Sequence, residues 1–131
     1  MVNGKQKGKK GELEVANIFK KYGYDSARRS AQFCGNNEQG SADVVNIPYL
    51  HIEVKRTEKF NDEKALQQAE NDAIIQKKDE IPVVIYRRNR EDWKVTMRLD
   101  TFINFYEAFR KVVEKEKNDW KWNKEIFKRV I

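Results

Sequence analysis

Apolar positions recur along the chain with two periods, and the switches between them mark its elements. In residues 11–22, GELEVANIFKKY, Glu12, Val15, Ala16 and Phe19 fall at i, i+3, i+4 and i+7, one face of a helix. Gly23 follows as a stop signal. A short strand is expected over 26–32, and the β-branched run DVVNI at 43–47 reads as another. After a turn at Pro48-Tyr49, LHIEVK at 50–55 alternates, with Leu50, Ile52 and Val54 on one face and His51, Glu53 and Lys55 on the other. Asn61 or Asp62 can cap a second helix that carries Leu66, Ala69 and Ala73 at helical spacing. IPVVIY at 81–86 reads as a buried strand. Residues 93–98 form the next, alternating Trp93, Val95 and Met97 against Lys94, Thr96 and Arg98. Asp100 can cap a long last helix rich in Phe102, Ile103, Phe105, Tyr106 and Phe109, and a further short helix is expected within 119–131.

The order helix, three strands, helix, two strands, helix predicts an α/β sandwich around a mixed sheet. Two hairpins make part of that sheet antiparallel, and the second helix is long enough for a crossover. At 131 residues the chain reads as one domain over 1–131. Residues 1–10, with Lys5, Lys7, Lys9 and Lys10 and no acid, are expected as a basic N-terminal arm, and about 110–131 as a C-terminal helical extension. The arm is either a phosphate-binding segment or a solvated tail.

Composition narrows the function. One cysteine allows neither an internal disulfide framework nor a multi-cysteine zinc site, and it suits a reducing, cytoplasmic compartment. No apolar run is long enough for a membrane span, and MVNGKQKGKK lacks the apolar core of a secretory signal. There is no phosphate-cradling Walker loop, so no nucleotide cofactor is implied. Lys and Arg number 27 against 21 Asp and Glu, a formal +6, and a small basic domain points to an anionic partner, nucleic acid first.

Asp43 opens a strand after the polar loop CGNNEQGS at 34–41, and the hairpin brings it beside the Glu53–Lys55 face. Two carboxylates so placed repel each other unless a cation lies between them. Such hard oxygen ligands suit Mg²⁺ held with substrate phosphate, and Lys55 can orient the attacking water or contact the scissile phosphate. The competing reading is a solvated strand face with a surface ion pair. Glu12 lies on the apolar stripe of the first helix, where burying an unpartnered carboxylate is costly. It reads as an inward functional group, or as a first-turn residue favoured by the helix dipole. Glu14, grouped with Asn17, Ile18 and Lys21, faces a polar side.

Several segments together resemble a known family: Gly8-Lys-Lys-Gly-Glu12, Gly23-Tyr24, Arg28-Arg29-Ser30, Gly40-Ser-Ala-Asp43-Val-Val and Tyr49-Leu-His-Ile-Glu53-Val-Lys55. They are similar to the archaeal-type Holliday junction resolvases of the PD-(D/E)xK superfamily, over roughly residues 7–98. Gln67-Gln68-Ala69 and Ile81-Pro82-Val83 resemble phage and prophage forms. The resemblance implies a restriction-endonuclease-like α/β core, a central mixed β-sheet flanked by helices. It implies catalytic roles for Glu12, Asp43, Glu53 and Lys55. The metal, Mg²⁺ with Mn²⁺ as substitute, would be bound by Asp43, Glu53 and the Val54 backbone carbonyl, with Glu12 contributing through water. It also implies a homodimer acting on branched DNA, in a host-cell cytoplasm if phage-encoded. Leu13 stands where these resolvases often carry Arg, the loop before Asp43 is longer, and the stretch from Arg110 onward has no counterpart.

Arg28, Arg29 and Ser30 are expected at the edge of the site, in contact with phosphates, and Gln68 near it on the second helix. His51, the only histidine, is expected as an exposed strand residue, with a general base as the sharper alternative. Cys34 reads as a free thiol. Trp93 reads as core, and Trp120 and Trp122 as packing on the domain or on a second subunit. Two other functions stay open: a PD-(D/E)xK nuclease with nicked, flapped or duplex DNA as substrate, and a non-catalytic DNA-binding protein with the same fold.

Overall fold

A computed structural model of the chain describes residues 4–30, 41–115 and 120–123. It divides into two compact units, Met1–Arg98 and Leu99–Ile131. The first contains α1 (Gly4–Lys21), β1 (Arg28–Arg29), β2 (Val44–Val45), β3 (Leu50–Arg56), α2 (Asp62–Gln76), β4 (Ile81–Arg87) and β5 (Lys94–Thr96). The strands form one five-stranded sheet in the order β1-β2-β3-β4-β5. β3 and β4 are parallel, with Ile52 opposite Val83 and Val54 opposite Ile85, and the other pairs are antiparallel. The mixed sheet and the element order are those the hydrophobic pattern predicts. The fold is α/β, a five-stranded sheet flanked by helices.

A parallel pair needs a crossover, and α2 provides it. Asn61 caps that helix, its side chain accepting from the Lys64 amide at 3.0 Å, and Lys77 ends it in the left-handed conformation at φ 54°. Val84 packs with Ala65, Leu66 and Ala69 of α2, while Ile52, Val54, Val83 and Ile85 pack with Val15 and Ala16 of α1. Both faces of β3 are therefore covered, and residues 51–54 are all buried. This corrects the reading of His51: it is fully buried, not exposed, because α2 covers the face that two-period alternation alone assigns to solvent.

Gly11 sets how closely α1 approaches the sheet. A Cβ built there would lie 2.8 Å from the Arg56 Cβ and 3.3 Å from the Trp93 ring. Trp93 and Met97 pack against the core as expected, whereas Val95 on edge strand β5 is exposed. The basic segment expected as an arm is helical from Gly4 onward and continuous with α1.

The second unit contains α3 (Leu99–Lys115), which has no buried residue. Asp100, expected as its cap, lies in its first turn. Trp120 meets Phe109 edge-on, ring centroids 4.8 Å apart. Residues 120–123 form no regular element, and the rest of the helix expected within 119–131 lies outside the described residues, as does Cys34 with residues 31–40.

Candidate active site

The site lies at the end of the β2–β3 hairpin away from its turn, where Asp43 precedes β2 and meets Val54 of β3. The Asp43 amide donates to the Ile52 carbonyl at 2.8 Å, and Val44 pairs with Ile52. Beyond that pair the Val54 amide donates to Oδ2 of Asp43 at 2.8 Å. The Ser30 amide donates to the Asp43 carbonyl at 3.0 Å, so the neighbouring strand holds the Asp43 backbone as well. Glu53, one residue before Val54, is only 2 % exposed, and its carboxyl interacts with those of Asp43 and Asp72.

Burial, and then the charge of Glu53, push Asp43 up to about 7. Burial does the same to Glu53, also to about 7. Glu12 enters from α1, close enough for Asp43 and Lys55 to act on its titration; burial raises it, and the Arg29 guanidinium, which donates to it at 2.9 Å, opposes the rise. Lys55 Nζ donates to Oε1 of Gln68 at 3.1 Å. Glu12, Asp43, Glu53, Lys55 and Gln68, dispersed over 57 positions of sequence, thus meet at one end of β3.

Oε1 of Glu53 is buried without a hydrogen-bond partner, and two adjacent carboxyls resist ionising. A divalent cation removes both penalties, so these donors fit one. Asp43, Glu53 and the Val54 carbonyl are the groups that could hold it. When bound, it would neutralise charge on a phosphate and lower the pKa of a bound water.

The other expected contacts divide. Arg28 is exposed at the sheet edge. Arg29 is half-buried and paired with Glu12, and Ser30 is buried, its amide spent on Asp43. On α1, Lys5 and Lys9 precede Glu12 by seven and three residues and share its side, while Lys7 and Lys10 share the side of Glu14. Beside Lys55 a cavity of about 480 Å³ is lined by Lys59, Asn61, Lys64 and Gln68, which adds positive charge next to the carboxylates.

Asp72 is a member of this neighbourhood that the sequence reading does not name. It follows Gln68 by one helical turn and Ala65 by two, so its signal is an acidic side chain on the alanine-rich inner face of α2.

The carboxylate pair, the Asp43–Val54 hydrogen bond and the adjacent lysine coincide with a match between residues 3–130 and the family described as "Phage putative PDDEXK endonuclease". The chain belongs to this family. Membership makes it a nuclease of the PD-(D/E)xK superfamily, of phage type, with DNA as its substrate class and divalent metal use as the general habit of the group. No curated protein and no solved structure gives a significant match. Among the described residues no helix is long and apolar enough to cross a membrane.

Proposed function

We propose that this PD-(D/E)xK nuclease is a Mg²⁺-dependent endonuclease that resolves four-way DNA junctions as a homodimer. Asp43, Glu53 and the Val54 carbonyl hold the cation, Glu12 reaches it through water, and Lys55, steadied by Gln68, orients the attacking water at the scissile phosphate. Mn²⁺ substitutes for Mg²⁺. The observation that carries this reading is the buried Glu53 carboxyl beside Asp43, with Asp43 clamped to the Val54 amide. A solvated strand face would leave Glu53 in water, and it is not in water.

Affinity comes from phosphate contacts. Lys5 and Lys9, with Lys7 and Lys10 on the adjoining flank, extend a basic ridge about 10 Å from Glu12 at the helical rise per residue. Arg28 continues it at the sheet edge, and Arg29 and Ser30 act from within, holding Glu12 and Asp43. On the other side, Lys59 and Lys64 flank Lys55. The dimer is supported by α3, whose Phe102, Phe105, Tyr106 and Phe109 are exposed at helical spacing on one face. One small domain has one site, and two opposed nicks in a junction need two sites related by a two-fold axis.

The deciding experiment compares cleavage of a four-way junction, a flap and a linear duplex in Mg²⁺. Paired, symmetry-related cuts in the junction are expected, and mixing in a Lys55→Ala subunit should give single nicks. Equal rates on all three substrates would transfer the substrate assignment to other DNA structures and leave the nuclease chemistry standing.

A further inference from the structure

His51 has no place in the chemistry above, yet it is the most completely buried polar side chain described. It is 0 % exposed, and neither of its ring nitrogens has a hydrogen-bond partner. A buried polar group left without a partner is destabilising unless something else satisfies it. Its Nε2 lies 3.5 Å from Oε1 of Glu53, the buried carboxylate oxygen that also lacks a hydrogen-bond partner. Asp72 of α2 completes a group in which one donor atom from each residue lies within 4.8 Å of the others.

The geometry points to a second cation subsite, built by His51, Glu53 and Asp72, that takes a transition-metal ion such as Zn²⁺, Mn²⁺ or Co²⁺. One imidazole and two carboxylates suit borderline ions, whereas Mg²⁺ prefers oxygen donors and retains its water. Three protein donors leave an open coordination position. Metal-bound imidazoles usually direct their second nitrogen at a carboxylate, which fixes the tautomer. His51 Nδ1 faces Oε1 of Glu80 at 3.9 Å, in the position of such a partner. A cavity of about 410 Å³, lined by His51, Glu80, Gln76, Lys78, Ser41 and Ala42, lies beside the imidazole. The subsite rests on the nuclease reading only through Glu53, which it shares with the Asp43 pair. An ion there holds Glu53 ionised and in one rotamer.

The single histidine makes the test direct. Imidazole ¹⁵N resonances of the full chain are followed while Zn²⁺ is added in excess Mg²⁺. A shift of the His51 Nε2 resonance that saturates at one equivalent is expected, with no response to Mg²⁺ alone. Asp72→Asn, which removes a direct ligand, should weaken the apparent Zn²⁺ affinity by more than the roughly 10- to 100-fold that loss of an outer partner costs. Asp43→Asn, inactive in cleavage, should keep the response. Imidazole resonances unmoved by Zn²⁺ overturn the subsite, and the wild-type titration requires no variant to fold. Loss of the response in Asp43→Asn overturns a separate subsite and leaves one merged site. A protein that cuts no DNA yet shows the imidazole response overturns the nuclease reading alone.

Discussion

Oδ2 of Asp43 accepts the Val54 amide at 2.8 Å, at the point where the β2–β3 ladder runs out. A side chain takes over from the neighbouring strand as hydrogen-bond partner, so the carboxylate is held rigidly beside Glu53. Asp43→Asn keeps an acceptor oxygen for the amide but not the charge. It should fold, bind DNA with near wild-type affinity, and lose cleavage by about 10²-fold or more in single-turnover assays. At about pH 4, where the carboxyl is protonated in the fold, Asp43→Ala should also lose stability, by about 1–3 kcal/mol in urea titration, because a part-buried amide loses its partner.

Metal and proton compete for the same carboxyls. Asp43 and Glu53, each pushed to about 7 by burial, bind more protons folded than unfolded over the interval from about 4 to 7. Their contribution to stability is complete below the unfolded values and is lost as pH rises through 7. In chelator, thermal stability should therefore fall across that interval, and Mg²⁺ should restore it most at the alkaline end. Melting curves that stay flat with pH in chelator would contradict the buried pair. Cleavage itself should vanish in chelator.

Two glycines of α1 should respond with opposite sign. Gly8 has nothing within 4 Å of a built Cβ, so Gly8→Ala should gain helix propensity, up to about 1 kcal/mol. Gly11→Ala gains the same propensity but meets the Arg56 Cβ at 2.8 Å, an atom that no rotamer can move away. Overpacking of this kind costs about 1–3 kcal/mol, which outweighs the gain. Because α1 also carries Glu12, Gly11→Ala should depress cleavage beyond its effect on melting temperature.

Lys5 and Lys9 share the Glu12 side of α1. If both meet phosphates, the double alanine variant should reduce the slope of log affinity against log salt by about 0.9 per lost contact. The control variant, Lys20→Ala with Lys21→Ala at the other end of the helix, should leave the slope unchanged. Fluorescence anisotropy over a salt series measures both.

Element order, sheet type and the carboxylate set were legible because each rests on local pattern. Val44, Ile52, Val54 and the IPVVIY run announce strands by composition, and the capping chemistry of Asn61 announces α2. Glu12 stands out because a carboxylate on the apolar stripe of α1 breaks its surroundings, and Glu53 because it stands two residues before Lys55 on a strand that the hairpin sets beside Asp43.

What alternation could not decide is which strand face meets solvent. His51, Glu53 and Lys55 read as a polar face, yet α2, returning over β3 to make the parallel pair with β4, buries the first two completely. The pairing of Arg29 with Glu12 and of Lys55 with Gln68, and the arrival of Asp72 beside His51 and Glu53, join residues 13 to 21 positions apart along the chain. A periodicity reports the environment of one element, whereas these contacts depend on how close two elements come. That distance is set by packing: Gly11 against Arg56 on one face of the sheet, and the alanines of α2 on the other.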